Sequence, residues 1–353
     1  MAASYLARGL QAALHDGCKP LGKGSPSVQG DGLPHIELTV ITPNYLFKMK
    51  TYFITFLLMI TAISYAHDGA NFQASDMLKS MQPGDKAAIV MVYFGSTHDD
   101  TRALTIDALT KQIRDTFPSL EVREAYTSRI VRRRLRDRGI DKPAPLDVLK
   151  QLKAEGFTHL VIQSANIIEG VEMEALRREV TAASADFKEV RIGTPLLYMP
   201  EDYTAVIHAL APAPAAEAAE VWVGHGSYTP ATAQYAMLGY MLRAEGHARC
   251  FVTTVEGYPT FDDLRAKLRQ SGVRSVTLRP FMFVAGDHAK NDIATTMKQA
   301  LEKEGYRVSV LVEGLGQNAA IRARYIAHIR FVLNHRMTDI LMKKKHYETN
   351  DPD

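Results

Sequence analysis

From Lys86 onward the chain alternates strand-length apolar runs with helical patterns, and this alternation restricts the fold more than any other feature of the sequence. The runs are 87–94, 159–163, 220–223, 250–255 and 307–312, with 273–284 too long for one strand and therefore part loop. Between them, residues 99–117, 128–137, 145–155, 171–184, 202–210, 231–245, 261–270, 292–303 and 318–333 read as helices. In the first of these, Ile106, Leu109, Ile113 and Phe117 recur at helical spacing. Asp99 and Asp100 stand near its start, where carboxylates favour the helix dipole. Alternating β and α elements predict an α/β fold with parallel sheets covered on both faces. The Ala/Pro-rich stretch 211–219 has no strand pattern and reads as a linker. The expected organisation is a short N-terminal segment 67–85, one α/β half over 86–211, a linker 212–219, a second α/β half over 220–335 and a polar, basic tail 336–353 that reads as a frayed end.

The halves look like a decayed duplication. Each opens with a strand ending in small residues, Gly95-Ser96-Thr97 and Gly224-His225-Gly226. Further on, Ile167-Ile168-Glu169-Gly170-Val171-Glu172 parallels Phe283-Val284-Ala285-Gly286-Asp287-His288, which sets Glu172 opposite His288. A cleft between the halves, at the carboxyl ends of parallel strands, is where such proteins bind ligands.

Three strand ends carry candidate chemistry. His225 lies between glycines that let the backbone turn and leave the imidazole open, although a loop histidine with a structural hydrogen bond fits too. Glu256 directly follows an apolar strand, where a carboxylate is costly unless it meets water, a partner or a metal. His288 follows Gly286-Asp287, after an aromatic and methionine stretch of which part lines an apolar face if a cleft lies there. Two imidazoles and a carboxylate suit a borderline divalent metal and also form an acid–base set. In helix 128–137, Arg129, Arg132, Arg133 and Arg136 form a row that fits a polycarboxylate ligand, or simply a solvated face. Gly314-Leu315-Gly316-Gln317-Asn318-Ala319 imitates a dinucleotide fingerprint, but no following strand is expected to close a βαβ unit.

The formal net charge of +3 gives no footprint for nucleic acid. Cys18 and Cys250 make neither a disulfide framework nor a thiolate zinc site. Met49-Lys50, the apolar run 52–63 and Ser64-Tyr65-Ala66 have the parts of a secretory signal. Met49 then reads as the start, residues 1–48 as an upstream extension, and His67 as the mature N-terminus; a buried N-terminal segment is the other reading of 49–66. The run is short for a membrane span, so no stable insertion is expected after cleavage. Export, to a periplasm, is the expected location, with the cytoplasm if the signal does not act.

Taken in order, Tyr93-Phe94-Gly95-Ser96-Thr97-His98-Asp99-Asp100-Thr101, Thr127-Ser128-Arg129-Ile130-Val131-Arg132, Ile162-Gln163-Ser164, Gly193-Thr194-Pro195-Leu196-Leu197, Gly224-His225-Gly226, Val255-Glu256-Gly257-Tyr258-Pro259, Val284-Ala285-Gly286-Asp287-His288-Ala289 and Gly314-Leu315-Gly316 cover the whole predicted folded region. In these motifs the chain resembles the sirohydrochlorin cobaltochelatases of the anaerobic cobalamin pathway, class II chelatases. The resemblance implies two chelatase-type, flavodoxin-like halves and ATP-independent insertion of Co²⁺ into a sirohydrochlorin-type tetrapyrrole, with no nucleotide. It implies that His225, Glu256 and His288 hold the metal and act in catalysis, and that Ser96, Thr97, Arg129 and Arg132 contact the tetrapyrrole. The Gly95-Ser96-Thr97 order departs from the family's Gly-Thr-Ser. An exported carrier for haem or cobalt acquisition, or a chelatase for nickel or iron, would use the same groups. A homo-oligomer is compatible with all of this.

Overall fold

The computed structural model describes residues 71–212, 217–286 and 289–350. The upstream extension, the secretory segment with its cleavage point, residues 213–216 of the linker, and Asp287 with His288 lie outside the described residues. The strands are β1 (Phe72–Ala74), β2 (Ala87–Tyr93), β3 (Glu121–Tyr126), β4 (His159–Ser164), β5 (Glu189–Ile192), β6 (Ala218–Gly226), β7 (Cys250–Glu256), β8 (Ser275–Phe281), β9 (Arg307–Val310) and β10 (His335–Met337). Strands β2 to β9 form two four-stranded parallel sheets, ordered β3-β2-β4-β5 and β7-β6-β8-β9. The same strand order in both halves is the duplication expected from the sequence. β6 starts at Ala218, so the last two alanines of the expected linker belong to the strand.

The central strands β2 and β4 are buried along their whole length, which is why they read as unbroken apolar runs. β3 and β5 were not expected, because charged residues break their apolar pattern. In β3 only Val122, Ala125 and Tyr126 are buried, and Glu121, Arg123 and Glu124 interrupt the pattern. Charges on an edge keep it from pairing with other chains, and they also hide it from a search for apolar runs.

The segment expected to fray is structured. β10 pairs antiparallel with β1, and a helix, Ile340–Asn350, follows. Tertiary pairing supplies what the local pattern lacks. Arg191 on β5, only 4% exposed, donates to the carbonyls of Ser75 (2.7 Å), Val332 (2.8 Å) and Leu333 (3.0 Å), joining the exit from β1 to the end of helix Ala319–Asn334. Carbonyls at a helix C-terminus are the natural partners of a guanidinium.

Helix Ala319–Asn334 follows the second sheet in sequence but lies against β4 of the first, and against helix Pro200–Leu210, which in turn touches helix Ala233–Ala244. One buried cluster therefore runs through both halves, from Ile89 and Met91 through Trp222 and Phe281 to Tyr325 and Ile329, while smaller clusters fill the other face of each sheet. Trp222, the sole tryptophan, stacks on Phe281 with centroids 5.3 Å apart and donates through Nε1 to Glu220 Oε1 at 2.8 Å. Cys250 is buried nearby; burial and then the Glu220 charge push its thiol up to about 11, against a smaller pull from Arg279. A thiol held neutral in this way behaves as a small core residue.

The dinucleotide look-alike is a 3₁₀ turn, Leu315–Gln317, with Asn318 Oδ1 capping the next helix through Ala320 N (2.8 Å) and Ile321 N (3.2 Å). A strand does follow that helix, contrary to expectation, but β10 pairs antiparallel with β1 and closes no βαβ unit.

Candidate active site

A cavity of about 560 Å³ opens at the carboxyl ends of β2, β4, β6 and β8. Its wall includes Phe94, Gly95, Ser96, Thr97 and His98 after β2, residues 165–168 and 170–173 after β4, His225, Gly226 and Ser227 at the end of β6, and Phe281, Met282, Phe283, Val284 and Gly286 at and after the end of β8. The apolar stretch before His288 thus lines a cleft, as anticipated. Both halves contribute, because the central strands of both sheets end there.

His225 is exposed on this wall. Its neighbours hold the backbone in place. A Cβ at Gly224 would lie 2.2 Å from the ring of Tyr235, which is completely buried, so only glycine admits that ring beneath the loop. Burial raises the Tyr235 hydroxyl to about 12, while backbone N–H groups of Gly226 and His225 directed at its oxygen oppose the rise. Gly226 has φ +94°, and a Cβ there would fall 1.5 Å from Glu256 O. Glycine is needed for both reasons.

Glu256 ends β7 in register with Gly226, one residue from His225 on the adjacent strand. It is half-buried and accepts a hydrogen bond from the exposed Tyr228 hydroxyl, which holds that phenol above its usual range. The turn after Glu256 is anchored from below: Pro259 O, following a cis peptide, accepts from Thr254 N (2.9 Å), Thr254 Oγ1 (3.0 Å) and Thr253 Oγ1 (3.2 Å). From the side, Thr232 Oγ1 accepts from Tyr258 N at 3.0 Å and donates to Tyr258 O at 2.7 Å. Sequence reading missed this support, since three threonines carry no signal until the turn is folded over them.

Glu256 itself does not line the cavity, and His288 lies outside the described residues. Among the described residues no group of three or more His, Cys, Asp or Glu side chains could hold a metal ion.

Ser96 and Thr97 line the cavity, but Ser96 is buried and its Oγ accepts from His98 N at 3.2 Å, so that side chain shapes the turn. Thr97 O accepts from Arg138 Nη1 at 2.6 Å. Neither Arg129 nor Arg132 lines the cavity. Arg132 donates to Lys142 O (2.9 Å) and Asp147 Oδ2 (3.1 Å), which ties helix Arg129–Arg136 to the start of helix Pro145–Ala154. The cavity-facing stripe of that helix is instead Ile130, Val131 and Arg134. Spacing of i and i+4 joins Ile130 to Arg134, and this was the available signal; the denser arginine row beside it drew attention away.

Comparisons with known proteins agree with this architecture. A sequence profile of the family described as cobalt chelatase (CbiK) matches residues 87–334. The sirohydrochlorin cobaltochelatase of Salmonella typhimurium is 38% identical over 258 residues, 70% of this chain and 97% of that protein. The sirohydrochlorin cobaltochelatase CbiKC of Nitratidesulfovibrio vulgaris is 31% identical over 267 residues, 72% of this chain and 94% of that one. Among solved structures, SirB from Bacillus subtilis with Fe³⁺ has a TM-score of 0.54 at 14% identity, covering 70% of this chain and 96% of its own, a likeness of fold.

Proposed function

This chain belongs to the cobalt chelatase (CbiK) family, and from that membership we propose that it inserts Co²⁺ into sirohydrochlorin, releasing two protons, in anaerobic cobalamin biosynthesis. The observation that carries this reading is the family match over 87–334, which takes in both sheets and every described element of the cavity wall. The barriers in such a reaction are stripping water from the cation, deforming the macrocycle and removing two pyrrole protons. No carbon bond is made and no nucleotide is consumed.

In this reading His225 and His288 hold the entering Co²⁺ as substrate through neutral imidazole nitrogens, and Glu256 completes the set and accepts a proton. The exposed position of His225 on the wall and the in-register approach of Glu256 support the assignment. Tyr228 donates a hydrogen bond to Glu256 and so orients the carboxylate. Ser96 and Thr97 shape the opposite wall, and Arg134, beside Arg129 and Arg132 on one helix, offers a guanidinium to peripheral carboxylates of the ring. Binding between the halves supplies proximity, not covalent catalysis.

Given sirohydrochlorin and Co²⁺ without oxygen or ATP, the purified protein is expected to convert more than one ring per chain, followed by macrocycle absorbance. Conversion that stops at one ring per chain would identify a carrier, and a faster reaction with Ni²⁺ or Fe²⁺ would replace cobalt as the substrate. We further propose export through 49–66. The family match begins at residue 87, so this segment stands apart from the chelatase region. N-terminal sequencing of the protein from cells is expected to read from His67; a chain retaining residues 49–66 would end the export proposal.

A further inference from the structure

The two halves can be aligned residue by residue from their hydrogen bonds. In the first, Leu196 N and Leu197 N donate to Asn166 O and Ile167 O; in the second, Leu315 N and Gly316 N donate to Met282 O and Phe283 O. Asn166 therefore matches Met282, and Ser164 matches Pro280. Ser164 stands beside Val92 in the first sheet and Pro280 beside Val223 in the second, so Val92 matches Val223. Two residues on, Phe94 matches His225, and Gly95 matches Gly226. Local geometry agrees: Gly95 and Gly226 have φ of +103° and +94°. The serine after each, Ser96 and Ser227, accepts from the backbone N–H two residues further on, at 3.2 Å in both cases. This shifts the match expected from the sequence, where Gly95 was set against Gly224. Ile167 falls opposite Phe283, as the later match from the sequence has it.

The position that presents an imidazole in one half thus presents a phenyl ring in the other. Phe94 lines the same cavity as His225 and is 51% exposed; Ile130 and Val171 line it too, at 56% and 50%. A single exposed apolar side chain needs no explanation. Three on the wall of one cavity are apolar area that gains about 25 cal/mol for each Å² a ligand covers. We propose that Phe94, which lines the cavity together with Ile130 and Val171, is the platform on which one face of the flat macrocycle lies, so that the first half holds the ring and the second half delivers the metal. The proposal rests on the chelatase reading. A tetrapyrrole offers an apolar aromatic face inside a rim of carboxylates, and an offset-stacked ring suits that face.

The test is binding of metal-free sirohydrochlorin to the full chain, titrated by absorbance, beside separate titration of Co²⁺ alone. Phe94→Ala is expected to weaken ring binding about tenfold, the loss of one stacked and buried aromatic contact. Phe94→Tyr is expected to restore it to within about twofold, and Co²⁺ binding without the ring is expected to stay unchanged in both. Because Phe94 is half exposed, the fold is expected to persist, checked by Trp222 fluorescence. Ring binding by Phe94→Ala equal to wild type would overturn the platform while leaving the chelatase reading intact. Loss of Co²⁺ binding in Phe94→Ala would overturn it as well, by putting Phe94 on the metal side. Failure of the wild-type chain to bind the ring would remove the chelatase reading and this inference with it.

Discussion

His225→Ala is expected to lower cobalt insertion by at least about a hundredfold, since even groups that only orient a metal ligand cost ten- to a hundredfold when lost. Thermal unfolding should hardly move. The imidazole is exposed and the local backbone is set by Gly224, Gly226 and Tyr235, which the substitution leaves in place. The measurement pairs initial rates of insertion with a melting curve. A variant with near-wild-type rates would remove His225 from the metal path, and with it the reading of three converging strand ends. A variant that unfolds would show that the side chain has a structural role the exposed position does not predict.

The largest stability effect is expected at Asp202. This carboxylate is 1% exposed and accepts from His328 Nε2 (2.7 Å), Arg324 Nε (2.5 Å), Met199 N (2.7 Å) and Tyr198 N (3.2 Å). Thr194 Oγ1 lies 3.4 Å from the other ring nitrogen of His328. The cluster joins helix Pro200–Leu210 to helix Ala319–Asn334, the element that crosses from the second half to cover the first. Asp202→Ala leaves a guanidinium and an imidazole without their buried acceptor, and the expected cost is about 3–5 kcal/mol in urea unfolding. Burial by itself would raise the Asp202 pKa; the His328 hydrogen bond, with the His328 and Arg324 charges, outweighs it and holds the group below the usual carboxylate value. A depressed folded-state pKa stabilises the fold above the unfolded-state value, near 3.9 for aspartate, and that stabilisation is lost as pH falls through the folded value. The difference in stability between wild type and Asp202→Asn should therefore shrink as pH falls below about 4. A difference that grows on acidification would contradict the sign.

Legibility followed unbroken apolar runs. β2, β4, β6 and β8 were readable because they are central strands, buried enough to appear as apolar runs. β3 and β5 were not, since Glu121, Arg123 and Glu124 in the one and Glu189 and Arg191 in the other break the apolar pattern, whereas β7 and β9, edge strands too, each carry a single charge at one end and were readable. His225 could be picked out because it stands between glycines after an apolar strand, and the fold puts it on the cavity wall. The i, i+4 spacing from Ile130 was the one sequence signal that set Arg134 apart from Arg132. Both lie on one charged helix, and the difference is that Asp147 and the Lys142 carbonyl, from the next helix and its approach, take Arg132.

What the order of residues determined alone is the architecture: two βα series of one design, with metal-capable side chains at strand ends, because periodicity and strand-end glycines are local properties of a chain. What only tertiary structure decided is which groups share a space. The match of Phe94 to His225, the crossing of helix Ala319–Asn334 onto the first sheet, and the meeting of Asp202 with His328 across 126 residues all depend on strand register and helix packing. Those are set by contacts between segments distant in sequence, and no local pattern encodes such a contact until both partners are folded.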